Sequence, residues 1–346
     1  MNVNERYSNN FDALRVFAAI CITLTHSYGL LQLDEQEPLM KLTDQKLNFS
    51  FVGLSIFFTV SGYLIAKSAA TSKSLLHYCW KRFLRIQPLL IVVCLISIFV
   101  IGPFFTTFSL NEYFSNLHTY TYLRNVLPFF GIQFDLPNVF ANNNGESGIN
   151  GSLWTLVVEE RLYLILGLIF LARKYAAKYF VIVVATLNLF YFFTIFFLKN
   201  GVYEYLNTQA FTLALMFVNA SAFYFSKIDF GKLAKNKFSI LSVLAILIIA
   251  YFFNFLFVFK VIFVPFFILL LANIKSVFNG LGKYGDLTYG IYIFSFPVQQ
   301  MLIAKNVVGQ NSMMLFFSTI LIVIPIAYFS WHLFEKKVLL LKDKIS

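Results

Sequence analysis

Hydrophobic residues recur along this chain in stretches of about 20, separated by short polar segments. A stretch of this length forms a helix that crosses the ~30 Å hydrocarbon core of a bilayer. The sequence therefore predicts an all-α, polytopic integral membrane protein. About ten transmembrane helices are expected, near residues 11–31, 50–66, 86–102, 153–172, 179–198, 207–225, 238–255, 257–273, 286–304 and 313–335. The second, third and eighth of these spans are expected to be short.

The composition supports a membrane protein. Hydrophobic residues make up 59% of the 346 residues and charged residues 12%, against roughly 25% charged residues in soluble domains. A soluble enzyme and a disordered chain are therefore excluded. The three cysteines give no disulfide framework, and no CxxC or HExxH spacing indicates a metal site. We expect one transmembrane domain over residues 1–346, with an outward loop near 103–152 and no appended soluble domain.

The distribution of Lys and Arg predicts the orientation. Placing the N-terminus in the cytosol assigns most of the 27 basic residues to inner loops, as the positive-inside rule requires. This inner set includes Arg6, Lys81, Arg173 and Lys174. Both termini are then cytosolic, and the protein lies in the cytoplasmic (inner) membrane. The net charge of +11 follows from topology, so no nucleic-acid partner is expected.

The first span carries three ionisable residues: Asp12, Arg15 and His26. Eleven positions separate Arg15 from His26, which is three helical turns plus roughly 20°, so both lie on one face about 16 Å apart along the axis. Ionisable groups inside a membrane are costly and point to function. The alternative is an interfacial Asp12–Arg15 pair with His26 as a packing residue.

Two arginines, Arg82 and Arg85, lie three positions apart before the third span and share one helix face. Two guanidinium groups on one face suit a phosphate-bearing ligand. The alternative is ordinary positive charge flanking a span.

Further polar residues lie within later spans. Glu159 and Glu160 lie in the fourth span beside Arg161, where the alternative to function is a structural ion pair with Arg161 or with a group on the first span. Trp154 is equally explained as an interface anchor. For Ser61 and the small residues around it, the alternative to function is that they let two helices pack closely.

In this order, these segments resemble the membrane-bound acyltransferase-3 family of sugar O-acyltransferases. The resemblance rests on Arg15-x10-His26, Phe57-Phe58 with Ser61-Gly62-Tyr63, Arg82-x-x-Arg85, Trp154-Thr155-Leu156 with Glu159 and Tyr163, and Tyr289-x-x-Tyr292 with Pro297. Ala13 stands where the family often has Gly, and Ser295 where many members carry a second His, so no role of that His is transferred.

The resemblance implies transfer of an acyl group, most often acetyl from acetyl-CoA as co-substrate, to a hydroxyl of an envelope carbohydrate, free or lipid-linked, such as O-antigen or capsule. His26 is expected to act as general base or brief acyl carrier. Glu159, or else Asp12, would orient or charge-balance its imidazole. Arg15, Arg82 and Arg85 are expected to hold the CoA. The acceptor would contact Trp154, Ser61 and Tyr292, with membrane lipids as surroundings and no metal.

A multi-pass transporter of a lipid-linked glycan or a small anion is the alternative function. Charges inside the membrane and a helix interrupted by Pro297 are equally typical of transporters. Transporters commonly contain repeated halves with broken helices in corresponding positions. No such repeat is visible in this sequence.

Overall fold

The computed structural model describes residues 9–127, 129, 131–143, 148–168, 176–197, 208–253 and 256–344. Of the basic residues assigned to inner loops, Arg6, Arg173 and Lys174 lie outside the described residues. The described part of the chain is helical, and its β structure is limited to one isolated bridge between Thr106 and Val139.

Ten helices of at least 15 residues run through the described ranges. They are α1 Phe11–Gly29, α2 Phe49–Thr71, α3 Leu75–Ile96, α4 Leu153–Gly167, α5 Ala176–Phe197, α6 Gln209–Phe225, α7 Lys237–Phe252, α8 Leu256–Ala272, α9 Thr288–Ala304 and α10 Ser312–Ser330. Four helical segments among them are long and apolar enough to cross a membrane: Phe49–Thr71, Leu75–Phe105, Lys178–Phe197 and Ser312–Lys342. Shorter apolar helices cover Gln209–Phe225, Lys237–Phe252 and Phe259–Ala272.

The prediction that the second and third spans are short is wrong. Helix α2 extends over 23 residues, and α3 begins at Leu75 and continues through a π-helical turn at Ser97–Ile101 to Phe105. Ser74 caps α3 by accepting a hydrogen bond from the backbone N–H of His77, which fixes its start well before the apolar stretch. The segment that carries the paired arginines is therefore helical.

Helix α2 lies at the centre of the packing, between α1 and α6. Two of its glycines make this close approach possible. A Cβ atom at Gly53 would lie 2.6 Å from the carbonyl oxygen of Ala18, and one at Gly62 would overlap the backbone of Phe217. The packing interpretation of the small residues is confirmed for these two glycines.

Three helices run in the same direction through the molecule. Helices α1 and α9 each begin close to an acidic residue, and their opposite ends line one cavity together with Phe105 at the end of the α3 extension. At 1.5 Å per residue the 19 residues of α1 span roughly 28 Å, close to the thickness of the hydrocarbon core. The two ends of this three-helix group therefore lie about one membrane thickness apart.

Candidate active site

The beginnings of α1 and α9 and the middle of α3 meet at one carboxylate. Asp286 precedes α9, and its Oδ2 accepts hydrogen bonds from Arg15 of α1 at 2.9 Å and from Arg85 of α3 at 2.5 Å. Arg15 also lies 3.4 Å from Asp12. We call Arg15, Arg85 and Asp286 the arginine cluster. Each guanidinium has five N–H groups, so both arginines keep donors for a further anion.

The arginine cluster is only partly open to solvent. The side chains of Arg15, Arg85 and Asp286 are 18–20% exposed. Burial opposes ionisation of the Asp286 carboxyl, but the charges of Arg15 and Arg85 outweigh it and hold its pKa well below the ordinary value. Arg85 also lies over the ring of Trp331, with its guanidinium carbon 5.9 Å from the ring centroid, a cation–π contact. Asp286 therefore holds two cations at fixed positions.

Replacing Asp286 with Asn tests the strength of this cluster. Two cations would lose their shared carboxylate, so we expect the free energy of unfolding to fall by about 2 kcal/mol. The lowered pKa of Asp286 means that its contribution is fully present above the unfolded pKa near 3.8 and is lost as the pH falls through the folded value. In thermal unfolding of the solubilised protein, the gap between parent and Asp286→Asn should stay constant from about pH 5 to pH 8. Equal stability at pH 7 would contradict this role.

Arg82 does not join the arginine cluster. It interacts electrostatically with Tyr163, Tyr78 and Glu159. Its Nε is buried, and none of the described residues gives it a hydrogen-bond partner. The two arginines that the sequence grouped stay within electrostatic reach of each other but have different partners: Arg85 binds Asp286, and Arg82 lies near Glu159.

A second polar group links α2 and α4 near their midpoints. Glu159 Oε1 accepts hydrogen bonds from the hydroxyls of Ser61 and Tyr163. On the next residue, Glu160 Oε1 accepts a 2.5 Å hydrogen bond from the side-chain amide of Gln87. Within the described residues, the ion pairs of α1 go to Asp12 and Asp286 rather than to either of these carboxylates. The described hydrogen bonds of Glu159 and Glu160 therefore go to neutral side chains on α2, α3 and α4.

His26 lies near the other end of α1. Its imidazole packs edge-on against the ring of Phe296 of α9, with ring centroids 5.2 Å apart. Its Nδ1 is buried and has no hydrogen-bond partner among the described residues. When Nδ1 carries the hydrogen of the neutral imidazole, Nε2 is the nitrogen that can accept a proton.

Tyr292 lies on α9, between Asp286 before the helix and Phe296, the residue that contacts His26. Its hydroxyl donates to the carbonyl oxygen of Ser152 at 2.9 Å and shares a hydrogen bond with Thr155, while its ring packs edge-on against Phe57 at 5.5 Å. These contacts bind α9 to the start of α4. Trp154 is partly buried and packs against the main hydrophobic core.

Comparison with known proteins decides the family. A family model described as an acyltransferase domain matches residues 8–332. The matched range includes the arginine cluster, Glu159, Tyr292 and His26. The chain belongs to the acyltransferase-3 family. The "O-acetyl transferase" of Shigella phage Sf6 is 29% identical over 96% of each chain. "Nodulation protein 10" of Rhizobium leguminosarum bv. viciae is 34% identical over 47% of this chain and 44% of its own. No solved structure matches.

For this acyltransferase, the structure brings some of the expected site residues together and leaves others apart. It joins Arg15 with Arg85 and with Asp12, and Ser61 with Glu159. It does not place Glu159 in a hydrogen bond with His26, whose role therefore stays a prediction. The interfacial Asp12–Arg15 pair of the alternative interpretation is present, but Arg15 also binds Asp286.

Asp286 is the main site residue that sequence reasoning missed. It lies 271 positions from Arg15 and 201 from Arg85, so no local spacing connects them. One signal was available: an acidic residue two positions before a helix, where carboxylates are favoured by the helix dipole. Among the described residues, no cluster of three or more His, Cys, Asp or Glu side chains could hold a metal ion.

Proposed function

We propose that this protein, an O-acyltransferase by its family and by its full-length relative, transfers an acetyl group from cytosolic acetyl-CoA to a hydroxyl of an envelope carbohydrate. One observation carries the proposal. Arg15 of the arginine cluster and His26 lie on the same helix, about 16 Å apart along its axis, so an anion-binding site and a proton acceptor occupy separate levels of one three-helix group.

The arginine cluster suits the phosphates of CoA. Arg15 and Arg85 share a single carboxylate oxygen, so most of their N–H donors remain for a ligand, and guanidinium groups bind phosphate with two parallel hydrogen bonds. Arg82 extends the positive charge toward the midpoint of the molecule. The thioester end of an extended CoA would then lie toward His26.

His26 is proposed as the general base. Its imidazole accepts the proton of the acceptor hydroxyl while the hydroxyl oxygen attacks the thioester carbonyl. The carbon–sulfur bond then breaks, and the CoA sulfur leaves and takes up the proton. The edge of Phe296 restrains the ring, which limits the orientations that the base must search.

The residues between the two levels are proposed to line the route of the acyl chain. Ser61, Glu159 and Tyr163 form one hydrogen-bonded group, and Tyr292 lies on the facing helix α9. In this arrangement Glu159 fixes the hydroxyls of Ser61 and Tyr163. Asp12 balances the charge of Arg15, and Trp154 lies at the start of α4, where the acceptor would enter.

We further propose that all ten long helices cross the cytoplasmic membrane and that both termini are cytosolic. Cys79 tests this orientation, because it is the only one of the three cysteines, all of which the structure describes, that is not buried. Cys79 lies in the predicted cytosolic end of α3. A membrane-impermeant thiol reagent should label it in opened cells and leave it unlabelled in intact cells. Labelling of Cys79 in intact cells would reverse the orientation.

The function is tested by incubating the purified protein with acetyl-CoA and glycans extracted from the envelope. We expect mass spectrometry to show acetylated glycan and free CoA in equal amounts. Movement of a glycan or an anion across a proteoliposome membrane without any acetylation would support the transporter instead. A deletion strain whose envelope glycans keep all of their acetyl groups would also count against the proposal.

A further inference from the structure

A cavity lies at the ends of α1, α3 and α9 that are farthest from the arginine cluster. It has a volume of about 470 Å³. Its walls come from the end of α1, the end of the α3 extension, the loop near residue 140 and the connection between α9 and α10. We call it the distal cleft, and its lining includes Phe104, Asn142, Lys305, Asn306 and Gln310.

The distal cleft is close to His26 along two helices. Leu31, which lines it, follows His26 by five residues, and Ile303 follows Phe296, the ring that packs on His26, by seven. At 1.5 Å per residue these separations are about 8 Å and 11 Å along the helix axes. A chain-like ligand in the cleft could therefore present one of its units to His26.

The side chains in the distal cleft are typical of saccharide binding. Asn142, Asn306 and Gln310 supply amide groups, which donate and accept hydrogen bonds. Within the described part of the chain, none of the three forms a side-chain hydrogen bond, and all three are exposed. Phe104, 76% exposed, supplies an aromatic face on which the C–H side of a sugar ring can pack.

The charge in the distal cleft is positive. Lys305 is the one ionisable residue among the described residues that line it. The ammonium nitrogen lies 5.2 Å from the ring centroid of Phe105 and forms no ion pair with a described residue. A cation that none of the described carboxylates neutralises is complementary to an anionic ligand.

The walls of the distal cleft are held in an unusual backbone conformation. Phe140, which is buried, has φ 57°, and Asn306 has φ 52°. A left-handed conformation is uncommon for a bulky aromatic residue, and such strain clusters at binding sites. The backbone N–H of Phe140 donates to the carbonyl of Phe105 at 3.3 Å, and the side-chain amide of Asn143 donates to Gln300 Oε1 at 2.7 Å. These bonds tie the loop to α3 and α9, so the cleft is a built feature of the fold.

We propose that the distal cleft binds the acceptor as an acidic saccharide, with Lys305 facing its carboxylate or phosphate group. This inference rests on the proposed function and adds the charge class of its acceptor. Asn142, Asn306 and Gln310 hold neighbouring hydroxyls, while the unit to be acetylated extends toward His26.

The test is binding of matched saccharide pairs to the purified full-length protein by equilibrium dialysis. One pair is an oligouronate and its carboxyl-reduced form, and the other is a sugar-phosphate oligomer and its dephosphorylated form. We expect an acidic member to bind about tenfold more tightly than its neutral partner, the effect of one charge-assisted contact. Lys305→Ala should remove this preference and Lys305→Arg should keep it.

Lys46→Ala is the matched control. Lys46 also lies over an aromatic ring, with its ammonium 5.1 Å from the centroid of Tyr251, but it is not part of the distal cleft. This variant should keep the preference for the acidic saccharide. Equal binding of both members of each pair, or a preference that survives in Lys305→Ala, would overturn the proposal. Competition by phosphatidylglycerol micelles without any saccharide preference would also overturn it and assign the cleft to lipid headgroups.

Acetyl transfer, measured on the same samples, separates this inference from the proposed function. A parent protein that prefers acidic saccharides but transfers no acetyl group from acetyl-CoA contradicts the function and leaves the cleft assignment supported. A parent that acetylates acidic and neutral glycans equally, with Lys305→Ala unchanged, supports the function and overturns the cleft assignment.

Discussion

His26→Ala should abolish measurable acetylation while leaving membrane insertion and acetyl-CoA binding intact. Loss of a general base typically lowers a rate by about 10²–10⁴, and loss of an obligatory acyl carrier lowers it further. The donor site is unaffected because Arg15, the member of the arginine cluster on α1, lies three helical turns from His26. The measurement is the acetylation rate per folded molecule, with folding checked by size-exclusion chromatography.

The control for His26→Ala is Phe296→Leu. Phe296 contacts the same imidazole, and leucine keeps an apolar group at that position. This variant loosens the imidazole without removing the proton acceptor, so it should lose far less activity than His26→Ala. A well-folded His26→Ala protein that turns over at the parent rate would show that His26 is a packing residue, and the proposed mechanism would be wrong.

Arg85→Ala should weaken acetyl-CoA binding by about 10- to 100-fold, the effect of losing one or two charge-assisted hydrogen bonds to phosphate. Arg85→Lys should recover only part of this affinity, because lysine keeps the charge but loses the two-pronged geometry. The measurement is isothermal titration of acetyl-CoA into the solubilised protein.

Lys81→Ala is the matched control for Arg85→Ala. It removes the same charge from the same end of α3, at a residue that does not belong to the arginine cluster. Its affinity for acetyl-CoA should stay within about twofold of the parent. If Arg85→Ala also binds acetyl-CoA like the parent, the paired arginines serve only topology.

The local parts of this structure could be predicted from the sequence. The apolar stretches predicted a helical membrane protein, and helical periodicity placed Arg15 and His26 on one face of α1. The bounds of α3 could not be predicted in this way. Its first turns contain Lys81, Arg82 and Arg85, whose charges resemble a loop. They are tolerated in the helix because Arg85 pairs with Asp286 and Arg82 lies near the carboxylate of Glu159.

The long-range parts could not be predicted. The partners of Glu159 are Ser61, 98 positions away, and Tyr163, one helical turn away, and only the second follows from spacing. The distal cleft is formed by four separate segments, and the left-handed backbone of Phe140 follows from no turn motif in its neighbourhood. Contacts of this kind depend on which helices pack together, and the spacing of residues along a single sequence does not reveal that.

The central claim is that acetyl groups pass from a donor at the arginine cluster to an acceptor at the opposite end of the same helices. It is tested by proteoliposomes that enclose the acceptor glycan, with acetyl-CoA added outside. Cys79 labelling identifies the vesicles in which the arginine cluster faces outward. The account predicts that enclosed glycan is acetylated in those vesicles by external acetyl-CoA. Acetylation that occurs only when donor and glycan share one compartment would contradict it.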